Sequence, residues 1–145
     1  MIETRLDKNF KITGFFDEET STISYVVYDM TSKKCAVIDS VLDFDFSSGT
    51  IDYHNAEKII SFIEKMKLDI EWLIETHVHA VHLSASPYIQ KKLGGKIGIS
   101  EKISDIQNIF GKTFNAGTEF QRDGSQFDRL FKDNDEYKIG GIKCK

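Results

Sequence analysis

The sequence predicts an α/β layered domain, and three observations carry that prediction. Residues 10–39 are rich in β-branched and aromatic side chains broken by polar turns, which reads as strands. Ala56, Ile59, Ile60, Ile63 and Met66 then recur at helical spacing. After them the apolar run Ile70-Glu71-Trp72-Leu73-Ile74 reads as a buried strand. Strand, helix and strand in succession are the signature of a layered α/β architecture. At 145 residues the chain is one domain, 1–145, long enough to bury a core.

The elements follow in order. Phe10–Phe16, Thr22–Tyr28 and Cys35–Asp39 are three strands separated by the polar breaks Asp17–Ser21 and Asp29–Lys34, most simply an antiparallel meander. Ser40–His54 is acidic, carries Gly49 and shows no period, so it is expected to be a loop. Asn55 is the expected N-cap of the first helix, with Glu57 well placed in its first turn. The strand Ile70–Glu75 is followed by a histidine-rich run. Ser84–Leu93 is expected to be helical, with Pro87 in its first turn and Gly94 at its end. Lys96–Ile99 reads as a strand, Glu101–Phe110 as a helix and Gly111–Gln126 as a surface loop. Tyr137–Lys145 resembles a hairpin.

Composition narrows the function. A net charge of −4 leaves no electrostatic footprint for nucleic acid. No apolar run approaches the roughly 20 residues that span a bilayer. The start, Met1–Asp7, lacks the basic-then-apolar pattern of a secretory signal, and two distant cysteines form no disulfide framework. The expectation is a cytoplasmic protein with a small-molecule or protein partner.

Residues 76–86 read THVHAVHLSAS and hold three of the four histidines, His77, His79 and His82. Imidazole is the commonest metal ligand, and alternate residues of an extended segment point the same way, so His77 and His79 can share a metal while His82 reaches a neighbouring spot. The end of a strand is where active sites of α/β proteins gather. Taken alone, the spacing is read either as a metal site or as satisfied structural histidines.

THVHAVHLSAS resembles the HxHxDH signature of the metallo-β-lactamase-fold superfamily. Ala36-Val37-Ile38-Asp39, the acidic loop with Asp43 and Asp45, Glu75-Thr76 and Phe110–Thr118 resemble the branch that groups glyoxalase II-like thioester hydrolases with persulfide dioxygenases and β-lactamase hydrolase-like proteins. The resemblance implies an αββα sandwich, represented mainly by its N-terminal half. It implies oxidation of a glutathione-derived persulfide to sulfite with one iron ion, in which His77 is a metal ligand and His79 and His82 line the site. The alternative is a zinc thioester hydrolase with one or two zinc ions, His77 and His79 on one and His82 on the other.

Two departures bear on activity. Val81 stands where the signature has an aspartate, which removes a carboxylate from a second-metal site. Members of the family also continue from a strand like Gly140-Gly141-Ile142 into further ligating residues that have no counterpart among these 145. The expectation is a truncated chain that is inactive in isolation. It would be a non-catalytic remnant, one half of a split protein completed by a second chain, or a self-sufficient domain with a different role, with a homo-oligomer or a complementing second chain as its protein partner.

Other residues carry less. His54 is expected to cap a helix or face solvent, Cys35 to be core, and Cys144 to be no nucleophile. Lys91–Lys96 is a helix C-terminus rather than a phosphate loop. Asp39 is either a second layer around the site or a turn-forming aspartate.

Overall fold

A computed structural model describes residues 2–5, 9–79, 83–113, 124 and 126–145. Its centre is a seven-stranded sheet whose first half is antiparallel and second half parallel. β1 (Ile2–Arg5), β2 (Phe10–Asp17), β3 (Thr22–Asp29) and β4 (Lys34–Ile38) form the expected meander, with β1 added at its outer edge. β4 then pairs in parallel with β7 (Asp69–Ile74), β7 with β9 (Lys96–Ser100), and β9 with β10 (Arg129–Phe131).

Two crossover helices connect the parallel strands, α1 (His54–Met66) and α2 (Ser86–Leu93). The alternation of strand side chains decides what they cover. Val26, Tyr28, Cys35, Val37, Leu73 and Ile97 form one core with Ala56, Ile59, Ile60 and Ile63 of α1 and Ile89 of α2. Burial pushes the Cys35 thiol up to about 12, as expected of a core cysteine. Val27 and Ala36, on the opposite face, pack with Trp72, Tyr137, Ile139 and Cys144. That face is partly covered by the hairpin of β11 (Tyr137–Ile139) and β12 (Ile142–Cys144), to which the Trp72 indole N–H donates through the Lys138 carbonyl at 3.1 Å. A third helix, α3 (Ile103–Thr113), follows β9. Among the described residues no helix is long and apolar enough to cross a membrane.

Three local expectations are corrected. Ser40–His54 is not a loop: it holds β5 (Val41–Asp45) and β6 (Thr50–Asp52), and β5 also pairs with β8 (Leu83–Ser84). These strands are short, and all three residues of β6 are exposed, so no alternating apolar pattern marks them. The first helix begins at His54, and Asn55 is not its cap. Instead the Asn55 backbone N–H donates to Asp43 Oδ2 at 2.9 Å, and its side-chain amide donates to Asp17 and Asp43. A carboxylate from β5 thus meets the positive end of the helix, a tertiary partner that no local pattern discloses. The second helix begins two residues later than expected because Leu83 and Ser84 pair with β5, and Pro87 falls within its first turn.

Candidate metal site

The parallel pairing of β4 and β7 builds the site. Ile38 and Ile74 are register partners at the carboxyl ends of these strands, so the residues that follow them emerge side by side. Asp39 turns left-handed there at φ 52°, a conformation aspartate tolerates better than most residues. The turn is held by its own backbone N–H, which donates to the Ile74 carbonyl at 2.9 Å, and by the Ser24 hydroxyl, which donates to its carbonyl at 2.8 Å.

Placed in this way, the Asp39 carboxylate faces the histidine segment. Thr76 donates its backbone N–H to Asp39 Oδ1 at 2.8 Å and its hydroxyl to Oδ2 at 2.6 Å. A threonine hydroxyl has one proton, so with that proton on Asp39 the same oxygen accepts from Nδ1–H of His77, 2.8 Å away. This chain of bonds puts the His77 proton on Nδ1 and its lone pair on Nε2. His77 itself is exposed.

His79 is placed differently. Its side chain is only 6 % exposed, and Nε2 lies 2.7 Å from Glu75 Oε2 and 3.1 Å from Asp39 Oδ1. Hydrogen bonds to these two carboxylates, Asp39 first and then Glu75, raise the His79 pKa to about 9 against the opposing effect of burial. For Asp39, burial works to raise the pKa, but the bonds from His79 and Thr76 outweigh it and hold the carboxyl below its ordinary value. The rings of His77 and His79 meet edge to face, centroids 4.5 Å apart.

One ligand atom from each of Asp39, His77 and His79 lies within 4.8 Å of the others. Two imidazoles and a carboxylate are a donor set suited to zinc or iron, and both histidines are fixed by hydrogen bonds to neighbouring groups, as ligating histidines generally are. The residues therefore fit a metal ion. Two cavities flank His79. One, of ≈ 530 Å³, is lined by Asp17, Asp43, Phe44, Phe46 and Leu83 among others; the second, of ≈ 330 Å³, runs past His77, Val78, Pro87, Ile99 and Phe127.

Of the histidines singled out from the sequence, His77 and His79 come together, while His82, like Val81, lies outside the described residues. His54 is exposed at the start of α1 and is not one of the converging donors. Of the two sequence readings of Asp39, the turn and the contact with the site both hold, since the turn is what aims the carboxylate. Sequence reasoning assigned no role to Glu75 or to the serines after the histidines. The available signal was a carboxylate ending an apolar strand, because a buried charge implies a partner.

No family model matches the chain. It is 46% identical over 134 residues to the "Probable metallo-hydrolase" of Burkholderia pseudomallei (strain 1710b), covering 92% of this chain and 46% of that protein. It is 41% identical over 133 residues to the "Beta-lactamase hydrolase-like protein" of Xylella fastidiosa (strain 9a5c), covering 92% of this chain and 31% of that one. Among solved structures, ETHE1 from Myxococcus xanthus superimposes with a TM-score of 0.63 at 19% identity, over 91% of this chain and 45% of that one. The chain thus spans less than half the length of these relatives. Sequence similarity across nearly all of the chain and the superposition of its strands and helices agree: the chain has the metallo-β-lactamase fold and is similar in sequence to metallo-hydrolase and β-lactamase hydrolase-like proteins.

Proposed function

We propose that His77 holds one metal ion, with His79, Asp39 and His82 lining the site, in an enzyme that acts on a glutathione-derived sulfur substrate. The convergence of two imidazoles and a carboxylate within 4.8 Å, at the ends of two parallel strands, carries this reading. The reaction proposed is oxidation of glutathione persulfide to sulfite, for which bound iron supplies the chemistry that lets dioxygen react with sulfur. In it Asp39 and Thr76 keep the proton of His77 on Nδ1, and Asp39 and Glu75 together hold that of His79 on Nε2. The apolar walls of Val78, Pro87, Ile99 and Phe127 limit water on one side of the histidines. The proposed compartment is the cytoplasm, in keeping with cysteines that remain free thiols.

A second reading, zinc-dependent thioester hydrolysis, is favoured by the name of the metallo-hydrolase relative. Elemental analysis of the chain after loading with ferrous or zinc ion, with His77→Ala as control, tests the metal. Near-stoichiometric metal that disappears in the control is the expected result. The exposed His77 contributes little packing, so the variant keeps its fold. Substoichiometric metal unaffected by the substitution refutes the site and leaves a non-catalytic remnant. Dioxygen uptake on adding glutathione persulfide, against thiol release from a glutathione thioester, separates the two chemistries.

A further inference from the structure

The three-stranded sheet of β6, β5 and β8 is small, yet one of its faces is apolar. Leu42 lies opposite Leu83 and Phe44 opposite Ile51, and side chains two apart on a strand share a face. Phe46 extends this face past the end of β5, packing edge to face on Phe44 with centroids 4.9 Å apart. Much of it is in contact with solvent: Phe46 is 81 % exposed, Ile51 49 % and Leu83 47 %. The alternate residues anchor the sheet, Val41 in the core and Asp43 on the backbone N–H of Asn55 at 2.9 Å. Exposed apolar side chains gathered in one place, rather than scattered, mark a contact surface.

Leu42, Phe44, Phe46 and Leu83 wall one side of the ≈ 530 Å³ cavity that reaches His79. Asp17 and Glu19, from the turn between β2 and β3, face into it together with Asp43. Asp17 accepts the N–H of Thr20 at 3.1 Å and its hydroxyl at 2.5 Å, and the Asn55 side-chain amide bridges it to Asp43. All these donors are neutral. Burial works to raise the Asp17 pKa, but the bonds from Thr20 and Asn55 outweigh it, so this carboxylate is charged at neutral pH. Glu19 is exposed. Among the described residues that line the cavity, no lysine or arginine opposes these charges, and His79 is committed to Asp39 and Glu75.

An apolar wall beside a set of carboxylates selects by charge and by shape together. An anion is repelled, and a small inorganic cation gains nothing from Phe44 and Phe46. An organic ammonium with an aromatic or aliphatic body satisfies both, its body against the phenyl rings and its charge toward the carboxylates.

We propose that this cavity is a binding site for an organic ammonium with an apolar body, seated between β5 and the β2–β3 turn and reaching His79. Glutathione, with two carboxylates to one ammonium, is not such a molecule, so the site goes beyond the substrate proposed above. It does not depend on the metal-site reading, and its test uses the metal-free chain.

Phenethylamine, hydrocinnamide and hydrocinnamate are probes of similar shape that differ in charge. Titration of the ¹⁵N-labelled chain, followed by NMR shifts, ranks them. Phenethylamine should bind most tightly and hydrocinnamate least, with shifts centred on residues 17–20 and 41–46 and on the His79 ring. Glu19→Gln and Phe46→Ala, both at exposed positions, keep the fold. Each should weaken phenethylamine binding about 2–5-fold, the range of an exposed ion pair or cation–aromatic contact. Hydrocinnamate that binds as well as phenethylamine, no binding of phenethylamine at millimolar concentration, or binding indifferent to both substitutions overturns the proposal. So do shifts that leave His79 unmoved. The metal-site reading fails separately, in the elemental analysis.

Discussion

Replacing Asp39 by alanine tests whether one carboxylate organises the site. The side chain accepts three hydrogen bonds, from the Thr76 N–H at 2.8 Å, the Thr76 hydroxyl at 2.6 Å and His79 at 3.1 Å. The bond from His79 joins side chains that are 6 % and 14 % exposed, so water cannot replace it, and a charged bond of this kind contributes about 1.5–3 kcal/mol. The Thr76 bonds lie at an exposed residue, where water takes over, and they add about 0.5–1 kcal/mol together. Alanine must also adopt the φ of 52° that aspartate accepts, at about 1–2 kcal/mol. The sum is about 3–6 kcal/mol. Asparagine tolerates the same backbone and retains one acceptor oxygen, so Asp39→Asn should lose about half as much. Urea denaturation of the metal-free chain, read as the midpoint at constant slope, measures both variants. An Asp39→Ala chain within about 0.5 kcal/mol of wild type, the range of an indifferent surface substitution, would refute the account of how β4 and β7 present the site.

Two further outcomes follow from the opposite end of the sheet. Gly140 has φ 58°, and a Cβ there would lie 2.0 Å from Ser32 Oγ and 2.8 Å from Asp29 Oδ2. Gly140→Ala should therefore undock the β11–β12 hairpin, costing about 2–3 kcal/mol in a melt and exposing the amides of Ile139–Cys144 to hydrogen exchange. Asp29, buried below that turn, has its pKa raised by burial but lowered further by bonds from the Gly141 N–H, the Ser32 hydroxyl and the Thr31 N–H, so it ends below its ordinary 3.8. A depressed carboxyl stabilises the fold above its unfolded pKa, and that contribution is lost as the pH falls through the lower folded value. Asp29→Asn should reduce stability at neutral pH and flatten the loss of stability below pH 3.8, measured by denaturant midpoints across the acid range.

Much of the framework was legible because its signals are local. The β-branched runs of β2, β3 and β4 and the apolar face of α1 each satisfy one period over enough residues to exclude the other. The β5–β6 pair was not legible. Its strands are five and three residues long, largely unburied, and held in place by pairing with Ser84 some forty positions later in the chain. The cap of α1 failed for the same reason, since Asp43 supplies from another strand what Asn55 seemed to offer locally. Within the site, the spacing of His77 and His79 announced a shared centre, whereas Glu75 and Ser86 looked like a strand end and a helix start.

The sequence by itself determined the class of fold and singled out His77 and His79 as a candidate pair, because periodicity and ligand spacing are carried by consecutive residues, and its resemblance to a known signature pointed to the superfamily. Only the tertiary structure decided which carboxylates serve those histidines and how. Asp39 lies 38 positions before His77 and reaches it through the parallel register of β4 with β7, and Glu75 turns from strand residue into acceptor for His79 only when Ser84 and Ser86 close over it. Hydrogen-bond orientation depends on ångström distances between residues far apart in the chain, and no pattern of neighbours along the sequence encodes them.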